Sequence, residues 1–269
     1  MATEESGKLR VLYLSHGGGP LPLLGDKSHD EMVIALKRVA ALIPKPSAII
    51  VVSAHWETVT PTITHGSTPE PIYDYYGFPD ESYEITYPAP GYPALADEVH
   101  WGLRQQGITS ILDDDRGFDH GLFVPLKIMY PDADTPCIQL SLVKGLDPAK
   151  HIAMGKALAS LTRDNILVVG SGFSFHNMKA FFTPSQERTE KNDAFKHWLV
   201  KTCSDPELIE SERAERLINW EHAPYARYCH PRAEHLLPLH VCYGATGRAC
   251  DSVYEAEILG VDSAMFLWS

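Results

Sequence analysis

Cysteine is scarce and poorly placed for pairing. Five occur in 269 residues, an odd number with no Cys-x-x-Cys pair, which excludes a complete disulfide framework and a structural zinc site of paired thiolates. A reducing, cytoplasmic setting is the expectation. Long apolar runs are also missing. The longest, around Ala48 to Val52 and Ile166 to Val169, fall far short of the roughly 18 residues that a bilayer span requires. The opening stretch, Met1 to Arg10, lacks the apolar centre of a secretory leader. Bases are outnumbered by acids, 23 to 35, leaving a formal charge of −12. Such a surface repels polyphosphate and anionic lipid, so nucleic acid and membranes are excluded as partners and a small molecule is expected. No Walker loop and no complete Gly-x-Gly-x-x-Gly occurs, which argues against a nucleotide cofactor, and the His-Glu-x-x-His of zinc proteases is absent.

What the chain does have is ample apolar mass, 44% hydrophobic against 22% charged residues, enough for one core. A single domain over residues 1–269 is expected. Short runs of Val, Ile and Leu alternate with longer segments of helical period, which predicts an α/β fold with a central, mostly parallel sheet flanked by helices. Val11 to Leu14, Ala48 to Ser53, Pro136 to Leu142 and Ile166 to Gly170 are apolar on both faces, as buried parallel strands are. Ser28 is placed to cap a helix that ends before Pro44. Asp147-Pro148 and Asp205-Pro206 each pair a cap with proline in the first turn, predicting helices over 148–163 and 206–220. A further helix is expected from Pro93 to Gly107. Between Ile72 and Tyr92 tyrosine and proline replace periodicity. This segment reads as an ordered loop, serving either as surface packing or as an aromatic wall or lid over a pocket.

Thirteen histidines are the unusual feature, since imidazole is both a metal ligand and a proton carrier near neutral pH. Three apolar strands run into small residues and then a histidine: Val11 to His16, Ile50 to His55 and Val168 to His176. Ligands of open parallel sheets sit outside the carboxyl ends of the strands, so histidines placed there converge although distant in sequence. His120 follows a Gly-Phe-Asp turn and is a fourth candidate. His230, His235 and His240 lie on a segment that reads as a helix opening at Pro231 and disturbed at Pro238. His230 and His235 would stand about 140° apart on it, so at most one of the three serves as a ligand. His29, His65, His100, His151, His197 and His222 lack such a setting and receive no role.

His16-Gly-Gly-Gly-Pro20 is shaped like an esterase oxyanion loop, but a serine hydrolase also needs Gly-x-Ser-x-Gly, and Gly172-Phe-Ser-Phe-His176 fails at its last position. Taken together, seven stretches are more specific. Ser15-His16-Gly-Gly-Gly-Pro20, Val51-Val-Ser-Ala-His55-Trp-Glu57, Tyr87-Pro-Ala-Pro-Gly91, Phe118-Asp-His120-Gly121, Tyr130-Pro-Asp-Ala-Asp134, Gly170-Ser-Gly172 with His176-Asn177, and Glu234-His235-Leu-Leu-Pro-Leu239 resemble, in order, the class III extradiol ring-cleavage dioxygenases of the DOPA 4,5-dioxygenase type. The resemblance implies a mononuclear non-haem iron(II) site with His16, His55 and His235 as ligands, His176 as catalytic acid and base, and His120 contacting substrate. It implies a catechol and O2 as the reactants. Relatives that cleave protocatechuate use a carboxylate as third ligand; here Glu234 adjoins His235, about 100° away if the segment is helical. Zinc is a possible occupant, because it outcompetes iron(II) in the divalent series. A zinc-dependent hydrolase and a non-catalytic metal-binding protein are the alternatives that would use the same histidines. Arg232, Lys127 and His120 are the groups considered for a substrate carboxylate.

Overall fold

In a computed structural model describing residues 9–269, the chain forms ten strands. They are β1 (Arg10–Ser15), β2 (Ala48–Thr58), β3 (Thr62–Thr64), β4 (Pro71–Ile72), β5 (Ile111–Asp113), β6 (Phe118–Asp119), β7 (Cys137–Val143), β8 (Ile166–Gly172), β9 (Ser252–Ile258) and β10 (Val261–Trp268). Eight join one sheet in the order β5-β3-β7-β2-β8-β1-β10-β9, and β4 pairs with β6 apart from it. The four strands read from the sequence are its centre: β7, β2, β8 and β1 run parallel. Their side chains are buried on both faces, which is why they lack polar alternation. The antiparallel hairpin β9–β10 extends the sheet beyond β1. Residues 1–8, most of the stretch tested for a leader, lie outside the described residues.

The helices are α1 (Asp30–Leu42), α2 (Pro93–Gln105), α3 (His120–Met129), α4 (Pro148–Leu158), α5 (Met178–Phe181), α6 (Gln186–Ser204), α7 (Glu210–Ile218), α8 (Ala226–Cys229) and α9 (Leu237–Thr246). The apolar α9 packs on β8, β1 and β2 with α4 against it, while α3 packs on β2 and against α1. Asp147 caps α4 as expected, accepting from the N–H groups of Ala149 and Lys150, but that helix stops at Leu158, short of residue 163. Three other expectations are corrected. Asp26, not Ser28, caps the turn leading into α1, and Ser28 donates its backbone N–H to that carboxylate. Asp205 ends α6 and binds the N–H of Glu207 in a turn, so the next helix opens only at Glu210. Residues 231–236 are turns, and Pro238 stands in the first turn of α9, where its missing N–H costs nothing. Among the described residues no helix is long and apolar enough to cross a membrane.

Candidate metal centre and active site

The parallel strands deliver their histidines to one end of the sheet. His16 directly follows β1, and its N–H donates to the Gly172 carbonyl at the end of β8. His55 lies within β2, which continues past it. Pairing with β7 slips between Ser53 and Glu57, and this irregularity carries the imidazole out of the regular ladder. His120 opens α3, and His176 stands in a turn four residues beyond β8. His235 reaches the same end because its backbone is docked there: its carbonyl accepts from the Tyr13 hydroxyl at 2.9 Å and from the Phe173 N–H at 3.0 Å. That approach requires glycine at 172, where a Cβ would lie 2.0 Å from the His235 oxygen.

The hydrogen bonds set the tautomers. Ser171 donates its only hydroxyl proton to the Gly121 carbonyl, so toward His16, whose Nδ1 lies 3.0 Å away, it accepts. The His16 proton therefore sits on Nδ1, and Nε2 carries a lone pair. His235 Nδ1 is 3.0 Å from Glu234 Oε1, and His120 Nδ1 is 2.7 Å from Asp74 Oδ1, leaving Nε2 free in both. His55 turns Nδ1 toward Asp74 Oδ2 at 3.7 Å and Nε2 toward His16 Nε2 at 3.0 Å. His55 Nε2 can donate to the His16 Nε2 lone pair here, and the 3.0 Å between them is about the separation of two nitrogens ~2.1 Å from one ion at right angles, so the donor set fits a divalent metal.

Proximity of donor atoms collects two groups, His16 with His55 and His120, and His176 with Glu234 and His235, each within 4.8 Å. Ring spacing discriminates further. A nitrogen ~2.1 Å from a metal puts its ring centre ~3.3 Å away, so rings on one ion stand ~4.7 Å apart at right angles and ~5.4 Å apart at the tetrahedral angle. The centres of His16, His55 and His235 are separated by 4.7, 5.2 and 5.0 Å. His55 and His120 are only 3.9 Å apart, too close for that geometry. Ring spacing, which includes the direction from which each lone pair arrives, groups His16 with His55 and His235.

Burial, and then the neighbouring imidazoles, hold His16 and His55 well below the ordinary histidine range. Burial first and His176 second lower His235 to about 3. All three are therefore neutral, the form that binds metal. Burial opposes the Glu234 carboxylate, but hydrogen bonds from His176 and His235 outweigh it and keep the carboxyl well below the usual range. Asp74 is likewise lowered, its bond to His120 overcoming burial.

His176 stacks on His235 with ring centres 3.4 Å apart and shares Glu234 with it, Nδ1 to Oε1 being 3.2 Å. Beyond His176 opens a cavity of about 550 Å³, lined also by Tyr228, Lys179 and Arg232. The aromatic segment 72–92 does not roof this cavity. Tyr73, Tyr75 and Tyr83 cluster with Phe123, and Tyr75 sets its edge on His120, 5.6 Å between centres. Glu234 is not on a helix; its carboxylate folds back onto the adjacent imidazole. His230 and His240 are buried elsewhere, bonded to the carbonyls of Ser174 and Leu217, and take no part. Sequence reasoning missed Asp74, which carries no local signature, and gave no role to Ser171 although it lies within the Gly170-Ser-Gly172 stretch.

An α/β sheet that gathers neutral imidazoles beside an open cavity at its strand ends has the form of a metal-dependent enzyme. The profile of the family described as the catalytic LigB subunit of aromatic ring-opening dioxygenase matches residues 12–265. The chain belongs to that family and is an extradiol, ring-cleaving dioxygenase. It is 38% identical to dioxygenase tasH of Hapsidospora irregularis over 99% of this chain and 87% of that protein. Its identity to the 4,5-DOPA dioxygenase extradiol of Beta vulgaris is 36%, over 92% and 90% of the two chains. An uncharacterized Escherichia coli K12 protein of known crystal structure superimposes with a TM-score of 0.78 at 29% identity, covering 97% of this chain and all of that one.

Proposed function

We propose that the chain acts as one catalytic domain over residues 1–269. In it a non-haem iron(II) enzyme inserts both atoms of O2 into a catechol ring, as a DOPA 4,5-dioxygenase does. His16, His55 and His235 hold the ion, and the observation that carries this reading is their near-equal ring spacing of 4.7 to 5.2 Å. Bound there, ferrous iron supplies the Lewis acidity that eases deprotonation of a catechol hydroxyl and the electronic link between the diol and O2. Zinc is the competing occupant, favoured by affinity rather than chemistry.

His176 borders both the triad and the cavity, so it takes the proton of the second hydroxyl and returns it as the ring opens. Glu234, accepting from its Nδ1, fixes the ring and its tautomer. His120, held by Asp74, meets the substrate from the other side. The carbon–carbon bond beside the diol breaks and both oxygen atoms are retained, one in an aldehyde and one in a carboxylate, giving a coloured muconic semialdehyde. The five buried, unpaired thiols support action in a reducing cytoplasm. Family membership does not favour the hydrolase or the non-catalytic binder.

The test is O2 uptake by protein loaded anaerobically with iron(II) and offered a panel of catechols. One O2 consumed per ring opened, with a visible chromophore, is expected. No uptake with any catechol, together with zinc-dependent ester hydrolysis, overturns the proposal.

A further inference from the structure

Of the groups considered for a substrate carboxylate, each is already engaged. Arg232 is ion-paired with Glu57 and, at 3.3 Å, with Glu234, so two carboxylates more than cancel its charge. Lys127 donates to the Thr86 carbonyl at 2.9 Å. His120 is committed to Asp74. One further cation lines the cavity beside His176: Lys179, on the short helix α5 that follows the catalytic turn. Among the described residues it has no ion-pair partner. Tyr228 lines the same cavity and gives an aromatic or aliphatic side chain an apolar surface.

Resting on the ring-cleavage reading of this site, we propose that Lys179 is a specificity residue that selects catechols carrying an anionic side chain, whose carboxylate its ammonium receives. A diol held at the imidazole triad directs its substituent into the cavity that opens past His176. There an anion finds one unneutralised positive charge in a protein of net charge −12. The reach of the flexible lysine stem lets it follow side chains of different length. A charge-assisted contact in such a half-open cavity is worth about a tenfold difference in affinity.

The experiment is anaerobic calorimetry of the iron-loaded protein with 3-(3,4-dihydroxyphenyl)propionate and with uncharged 4-methylcatechol, followed by aerobic turnover of both. The expected result is about tenfold tighter binding of the acid, lost in Lys179→Met and restored in Lys179→Arg, with 4-methylcatechol binding unchanged throughout. In turnover the methionine variant raises KM for the acid alone and leaves kcat. Equal affinity for the two ligands in the unaltered protein, or a preference that survives Lys179→Met, overturns the proposal. Tight, Lys179-dependent binding of the acid without O2 uptake instead upholds the subsite and removes the ring-cleavage reading.

Discussion

Ser171 accepts a hydrogen bond from His16 because its own proton is spent on the Gly121 carbonyl, so one hydroxyl on β8 decides which nitrogen of an imidazole just past the neighbouring strand is free. Glu234 and Asp74 act alike on their histidines. Each carboxylate serves two rings, one from the proposed metal triad and one beside it: His235 and His176 for Glu234, His55 and His120 for Asp74.

Replacing Ser171 by alanine removes the acceptor of the His16 N–H. Metal affinity is expected to fall about 10- to 100-fold, the usual effect of losing such a supporting partner. Titration with iron(II) against a competing chelator measures it, and an unchanged dissociation constant contradicts the assigned tautomer.

His176→Ala keeps the triad and removes the proton carrier. Turnover of iron-loaded protein is expected to fall about 10²- to 10⁴-fold while anaerobic catechol affinity changes little. Turnover within twofold of the parent contradicts the role.

Gly172→Ala brings a methyl group to within 2.0 Å of the His235 carbonyl oxygen. The segment bearing His235 must retreat, at a cost of about 1–3 kcal/mol in urea unfolding. Metal content is expected to drop in the same variant. Retained stability together with full metal content would show that the docking of residue 235 is looser than described.

Acid should weaken the metal-free protein through histidines outside the site. Burial lowers His230 to about 3 and His240 to about 4, from an ordinary value of 6.5. Above 6.5 neither folded nor unfolded chain binds these protons. Below it the unfolded chain does and the folded chain does not, so each residue withdraws about 1.4 kcal/mol per pH unit until its folded value is reached. Urea midpoints at pH 7.5 and 5.0 test this; a midpoint as high at pH 5.0 contradicts it.

The centre of the fold was legible because β1, β2, β7 and β8 are buried on both faces and so written as plain apolar runs, each leading toward a histidine or a helix. The edges were not. Ser252–Ile258 is half exposed and Glu255 and Glu257 face solvent, which hides an edge strand among polar residues. Asp205-Pro206 carries every local sign of a helix start, yet the cap is used in a turn and Glu210 begins the helix. In the site, the five imidazoles were readable from their motifs. Of the groups that orient them, Glu234 and Ser171 lay within those motifs without an orienting role, whereas Asp74 was hidden because it meets His120 from 46 residues away; Lys179 acquires meaning only from the cavity around it.

Metal analysis of four single variants, each loaded with iron(II) and desalted, addresses the arrangement of the triad most directly. One ion per chain is expected in the parent and in His120→Ala, and less than about a tenth of that in His16→Ala, His55→Ala and His235→Ala. Full metal in His235→Ala, with loss in His120→Ala, would place the ion in the other group of nitrogens and contradict the account.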